Sequence, residues 1–331
     1  MSKGCSRRVL RRLASTGGSV SLQTLALLLL VAAVGFGAMT LLATAGNSLI
    51  RAQASVKDSK KLSEAISYAV EELKKNPSIE ADSSFDPVYQ LSSYAGISIE
   101  VKDISSLLNP NWIRKGILAD TNLASFFLPG MSADKLQQYR EDSGFSENPA
   151  VFYKAFFTED AIVDYLGAYS YANINSTDEF ALRKLYFEVT QDASGSEFFH
   201  NRVTQQLQEL KIMNENELET MLGVSGSKLR KVLTTQGQMN VNFASPHILE
   251  CLLSYKAYNI GGYKSVADSI VAARKSGEIN DSRLRSLLGG IAADHPLFGY
   301  LGVRTWFWSI KAQQGSQSAT VIVARQLPFN A

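Results

Sequence analysis

Cysteine is nearly absent: 331 residues hold only Cys5 and Cys251, so no disulfide framework organises the fold and an oxidising compartment is not signalled. Histidine is as scarce. His200, His247 and His295 lack the i, i+4 spacing that puts two ligands on one helix face, so a zinc site is not expected. There is no G-x-S-x-G elbow, no P-loop and no G-x-G-x-x-G after a strand, which removes the usual starting points for hydrolase, phosphoryl-transfer and dinucleotide chemistry. Cys251, beside Leu249, Leu252 and Leu253, reads as a small core residue, and the acid pairs Glu71-Glu72 and Asp178-Glu179 read as helix caps or solvated faces. On these residues the chain is not an enzyme. Five of its 33 Lys and Arg lie in the first twelve positions, leaving 28 against 31 Asp and Glu, a balance that argues against a nucleic-acid partner.

Charge is missing altogether from Leu13 through Ile50, and Leu25 to Ala45 is almost wholly apolar. Roughly 20 such residues suffice to cross a bilayer as a helix. A soluble helix keeps a polar face, and this run shows none. Lys3, Arg7, Arg8, Arg11 and Arg12 ahead of it place the N-terminus in the cytoplasm and the bulk of the chain on the far side. A cleaved secretory signal is the alternative, with Ala43-Thr44-Ala45 loosely of the A-x-A kind. Beyond the run, Leu49, Val56, Leu62, Ile66, Tyr68, Ala69 and Leu73 keep helical spacing until Asn76-Pro77 stops it. The sequence thus predicts one long helix, half in lipid and half in a folded domain.

Downstream, Val88 to Leu91 and Ile97 to Val101 alternate as strands around a Tyr94-Ala95-Gly96 turn. Val303 to Ile310 and Ser318 to Arg325 form a second hairpin about Gln313 to Ser316, with Trp306 and Trp308 on one strand face, packed on the long helix. Between the hairpins lie helical segments: Trp112 to Ala119, Ala133 to Glu141, Asn148 to Phe157, Asp160 to Ala168, Asp178 to Val189, Glu197 to Leu210, Glu215 to Leu222, Ser227 to Thr234, Pro246 to Tyr258, Ser265 to Ser276 and Asp281 to Leu288. Gly261-Gly262 and Gly289-Gly290 read as helix stops. The fold class predicted is α+β, a long N-terminal helix on a small antiparallel sheet with a large all-α insertion.

One arrangement recurs in that insertion. Asn109-Pro110-Asn111, Asn173-Ile174-Asn175 and Asn240-Val241-Asn242 each stand before a helix start. Ser176 with Glu179 has capping-box spacing, and Ser245-Pro246 offers an N-cap followed by proline. In an extended segment residues i and i+2 share a side, so each pair can fasten adjoining loops through its amides; ordinary turn asparagines are the alternative.

The N-terminal pattern resembles the type IV pilin-like superfamily, whose basic leader ends in glycine directly before an apolar helix. Gly17-Gly18-Ser19-Val20-Ser21-Leu22-Gln23-Thr24-Leu25 is similar to that junction, with cleavage after Gly18 or after Ser19. Major members carry Glu at the fifth mature position; here that position is Gln23 or Thr24. Inside a filament the neighbouring amine would then lie uncompensated in hydrocarbon, at a cost of several kcal/mol, a cost that a tip subunit avoids.

The whole chain resembles the K-type minor pseudopilin of bacterial type II secretion. The likeness rests on this helix, Ile99-Glu100-Val101-Lys102-Asp103, Tyr171-Ala172-Asn173 before Ser176-Thr177-Asp178-Glu179-Phe180, Gly237 to Ala244 with Ile248-Leu249, Ile270 to Arg274, and Val303 to Ile310. It implies a leader at 1–18, a transmembrane helix at 19–46, a pilin-like α+β domain from 47–108 and 300–331, and an inserted helical domain at 109–299. It also implies a single-pass inner-membrane protein with a periplasmic C-terminal domain. The subunit would start pseudopilus assembly at the tip, with I- and J-type minor pseudopilins, a prepilin peptidase and secreted cargo as partners. Family members bind calcium through an acidic cluster; the aspartate-rich run is missing near Glu147 to Tyr153, leaving Asp192, Glu197 and Asp294 as weak candidates. A type IV pilus adhesin, marked by exposed tryptophans, and a DNA-uptake protein, suggested by turns such as Leu222-Gly223-Val224-Ser225-Gly226, are the alternative functions.

Overall fold

A computed structural model describes residues 59–75, 81–146, 148–208, 212–223 and 227–327, all within one compact unit, Arg51–Ala331. Gly18, Ser19, Gln23, Thr24 and the apolar run lie outside these residues. Among the described residues no helix is long and apolar enough to cross a membrane.

Helix α1 (Ser59–Lys75) buries Leu62, Ala65, Ile66 and Ala69 along one face, the i, i+3, i+4, i+7 stripe of an amphipathic helix. Its last turn carries Lys74 and Lys75, each 2.7 Å from a glutamate three residues earlier, where cations complement the helix dipole. Strands β1 (Ser93–Tyr94) and β2 (Ile97–Asp103) form a hairpin whose turn residues, Ala95 and Gly96, both adopt positive φ (49° and 81°). That is the mirror-image turn that matches strand twist. The chain returns to this sheet only at β3 (Phe307–Gln314) and β4 (Gln317–Ala324), giving an antiparallel order β1-β2-β3-β4. Buried Ile97, Ile99, Val101, Trp308, Ile310 and Ala312 face α1, so one side chain in two along β2 and β3 builds the sheet core.

Between β2 and β3 run α2 (Lys115–Asp120), α3 (Ala133–Ser143), α4 (Pro149–Phe156), α5 (Glu159–Asp164), α6 (Glu179–Thr190), α7 (Ala193–Gln208), α8 (Glu215–Leu222), α9 (Pro246–Leu253), α10 (Tyr263–Ser276) and α11 (Asp281–Leu287). They fall into three modules of one plan. Each opens on a short extended stretch ending in Asn-x-Asn, runs through helices, and closes on a stretch that pairs in parallel with its own start. The pairings are Leu108 with Leu166, Ala172-Asn173 with Leu233-Thr234, and Met239-Asn240 with Leu301-Gly302. Modules one and three share a core in which Leu123, Leu136 and Phe157 join Ile248, Leu249 and Ile270; module two has its own, around Leu182, Phe199, Val203 and Leu218.

Several expectations are corrected. Val88 to Leu91 is a 3-10 turn (Pro87–Gln90), because Pro87 sets its first position and the Asp86 carboxylate accepts the Ser83 N–H. Ser227 to Thr234 is a 3-10 turn (Ser227–Lys231) followed by strand residues Leu233–Thr234. Asp178, not Ser176, caps α6, accepting from Phe180 N and Ala181 N. Gly262, with φ 63°, stands at the start of α10 and not at a helix stop. Trp306 precedes β3 and leaves the shared strand face: its Nε1 donates to Gly237 O (3.1 Å) on the helical side, while Trp308 alone packs under α1.

Candidate functional site

The three Asn-x-Asn sites have one geometry. In each, the first asparagine's Oδ1 accepts the backbone N–H of the second: Asn111 to Asn109 (3.0 Å), Asn175 to Asn173 (2.7 Å) and Asn242 to Asn240 (3.0 Å). This Asx turn folds the chain back at the module's start. The second asparagine then mimics a peptide group, donating to a carbonyl and accepting from the N–H of a single remote residue. Asn111 clamps Ser146 (3.3 and 3.0 Å), Asn175 clamps Met213 (2.9 and 2.6 Å), and Asn242 clamps Ile279 (2.9 and 2.9 Å). Just beyond each clamp a third asparagine, Asn148, Asn214 or Asn280, caps the next helix. All six paired asparagines are buried.

The first asparagine's Nδ2 secures the module's return. Asn109 donates to Ala168 O (3.1 Å) and Asn173 to Gln236 O (2.5 Å). In module three this donor is redirected: Asn240 Nδ2 reaches Asp82 O (2.9 Å) and Thr305 Oγ1 (3.2 Å), groups that flank the sheet. Asn240 therefore ties the helical region to the sheet layer.

Around it runs a buried polar seam. Thr305 Oγ1 donates to Asp103 Oδ2 (2.6 Å), and Asp103 Oδ1 also accepts from Ser105 Oγ (3.0 Å) and Ser106 N (2.9 Å). With the threonine proton committed to Asp103, Tyr89 donates its own to Thr305 Oγ1 (3.0 Å) and accepts from Trp308 Nε1 (2.9 Å). Asp82, fully buried, accepts from Thr305 N (2.7 Å) and lies 2.7 Å from Arg325 Nη2 through both carboxylate oxygens. Each donor here has an acceptor, the condition under which a polar network rigidifies a core. Gly237 borders the seam because a Cβ there would fall 2.1 Å from Leu301 O.

Burial raises the pKa of both seam carboxylates, Asp103 to about 6 despite its three donors, and Asp82 upward against the pull of Arg325. A carboxylate with a raised folded pKa binds a proton in the native state before the unfolded chain does. Stability from it is therefore greatest below about pH 4 and is lost as pH rises through about 6. Asp103→Asn should flatten the stability profile between pH 4 and 6 in urea unfolding at fixed salt. An unchanged slope would refute the assignment to Asp103.

The remaining candidates do not converge. Cys251 is fully buried, its sulfur 3.8 Å from His247 Nε2, and burial pushes its thiol up to about 11. Asp192 accepts from Gly195 N (2.9 Å) at the start of α7, and Glu197 pairs with Arg183 (3.2 Å). Among the described residues no three acidic, histidine or cysteine groups gather as metal ligands, Asp192, Glu197 and Asp294 included. A groove of about 550 Å³ beside α1, lined by Lys60, Glu64, Tyr68, Glu71 and Tyr94, brings no nucleophile and base together. Sequence reasoning missed Asp82, Asp103, Thr305 and Arg325. Asp103 and Thr305 bracket the insertion, and that flanking position was the one signal pointing to them. No family model, curated protein or solved structure matches the chain.

Proposed function

We propose that this chain is a minor pseudopilin of the K type, placed at the tip of a type II secretion pseudopilus, where it starts assembly and supports export of folded proteins. The observation that carries the reading is the insertion itself. β2 and β3 are hydrogen-bonded neighbours in a small antiparallel sheet under an amphipathic helix, yet three helical modules separate them in sequence. The uncharged run from Leu13 to Ile50 just upstream and the Gly18-Ser19 junction complete the resemblance. Its mechanism is packing, not bond chemistry, carried by the sheet under its amphipathic helix and by the three inserted helical modules. An adhesin reading called for exposed tryptophans, and Trp306 and Trp308 are 1% and 5% exposed.

Two measurements test the proposal. N-terminal sequencing of the membrane-extracted protein should begin at Ser19; an intact Met1, or a start after Ala45, would end the pilin-like reading. Co-expression of the chain from Gly46 on with the I- and J-type minor pseudopilins encoded beside it should yield a stable complex, and its absence would remove the tip assignment.

A further inference from the structure

We propose that the outer edge of β4 is a strand-addition site, which takes one extended, uncharged segment of a second polypeptide as a fifth strand of the sheet. The inference is independent of the secretion reading. The β3–β4 hairpin turns through two residues, Gly315 and Ser316, and its register is unbroken from Gln314 opposite Gln317 to Phe307 opposite Ala324. The next pair along, Arg325 N donating to Trp306 O (2.8 Å), fixes which residues face inward. Odd-numbered residues of β4 point their N–H and C=O groups at β3, and Ser318, Thr320, Ile322 and Ala324 point theirs outward. Among the described residues no group takes these four.

The two edges of the sheet are treated differently. On the far side β1 is two residues long, and β2 carries exposed Glu100 and Lys102, 2.7 Å apart, features that discourage a further strand. β4 has eight residues, no charge, no proline and no bulge. Its side chains name the partner. Ala319, Val321 and Val323 face the α1 side and Ile322 the other, and all four are only half-buried where the sheet stops. A neighbouring strand with apolar residues at alternate positions would cover them. It must be neutral, since β4 offers no charge to pair with, and a desolvated unpaired charge is costly. Main-chain bonds would supply affinity and the alternate side chains specificity, the mode of β-augmentation.

The test places a photo-crosslinking phenylalanine analogue at Thr320 or Ile322 of the full chain in cells of the source organism, with Glu100 on the opposite edge as reference. Adducts at Thr320 and Ile322 should map to one contiguous segment of one partner, two residues apart, and Glu100 should give none there. Thr320→Pro deletes an outward N–H without touching the β3 ladder, and Thr320→Lys sets a charge on the edge. Each should lower the Ile322 adduct roughly fivefold to tenfold, the weight of about one hydrogen bond, with an unchanged thermal melt. No adduct, the same adducts at Glu100, adducts to β4 of a second copy, or Ile322 adducts indifferent to both variants would overturn the proposal. A partner unrelated to pilin-like subunits would leave the edge site standing and count against the tip reading.

Discussion

Asn240→Leu should destabilise the protein by roughly 2–6 kcal/mol, because two buried main-chain groups lose their partners and each such orphan costs about 1–3 kcal/mol. The Asn242 N–H would lose Oδ1, the Asp82 carbonyl would lose Nδ2, and leucine offers nothing to either. Total stabilities of domains run to about 5–15 kcal/mol, so the loss would be a large share. Urea unfolding followed by tryptophan fluorescence suits the measurement, since Trp306 and Trp308 both lie along the seam. The reference is Asn148→Ala, which removes an exposed helix cap worth about 1 kcal/mol. If the two substitutions cost the same, Asn240 is an ordinary turn residue. Asn240→Asp should be as damaging near neutral pH, since it exchanges the amide donor for a carboxylate facing the Asp82 carbonyl.

The same residue shows what a sequence can and cannot reveal. Asn-x-Asn before a helix was visible, as were Pro246 at a helix start, the apolar stripe of α1 and the alternation of β2 and of β4 with its partner. The clamps were not visible, because Ser146, Met213 and Ile279 contribute only backbone N–H and C=O, and any side chain can stand there. A spacing signal did exist: Asn148, Asn214 and Asn280 follow Asn111, Asn175 and Asn242 by 37, 39 and 38 positions. It marks the three modules, whose helices otherwise differ in length and apolar pattern. Trp306 was misplaced because alternation of large residues does not say where a ladder begins; the strand starts one residue later, and the preceding side chain turns to Gly237. Asp82 and Arg325 lie far apart in sequence, so neither announced the other.

Arg140→Met should cost about 3–5 kcal/mol, the penalty for leaving one partner of a buried ion pair alone. Arg140 and Asp178 are each 1% exposed, with Nη1 3.3 Å from the carboxylate and Nη2 donating to Pro110 O inside the first Asn-x-Asn. Burial lowers the guanidinium's pKa, and the Asp178 charge opposes that shift. Asp178 also caps α6, so Asp178→Asn keeps the cap while removing the charge. In the double variant Arg140→Met/Asp178→Asn neither charge is stranded, and most of the loss should be recovered, giving a coupling energy well above the about 0.5 kcal/mol of independent sites. Strictly additive losses would show that the pair is not a unit. The pair bridges α3 of module one to α6 of module two, whose apolar cores are separate. Trp112 and Phe145 of module one pack on the core of module two, and Arg114 donating to Asn175 O and Tyr300 Oη to Ser176 O (2.7 Å) add directional bonds at its first turn. Apolar contacts tolerate sliding, whereas directional bonds to a helix start do not. Module two would therefore lose its orientation on module one in Arg140→Met before it loses its helices. On the proposed function, complexes of the single variant with the I- and J-type minor pseudopilins should be weakened more than its far-ultraviolet circular dichroism is changed.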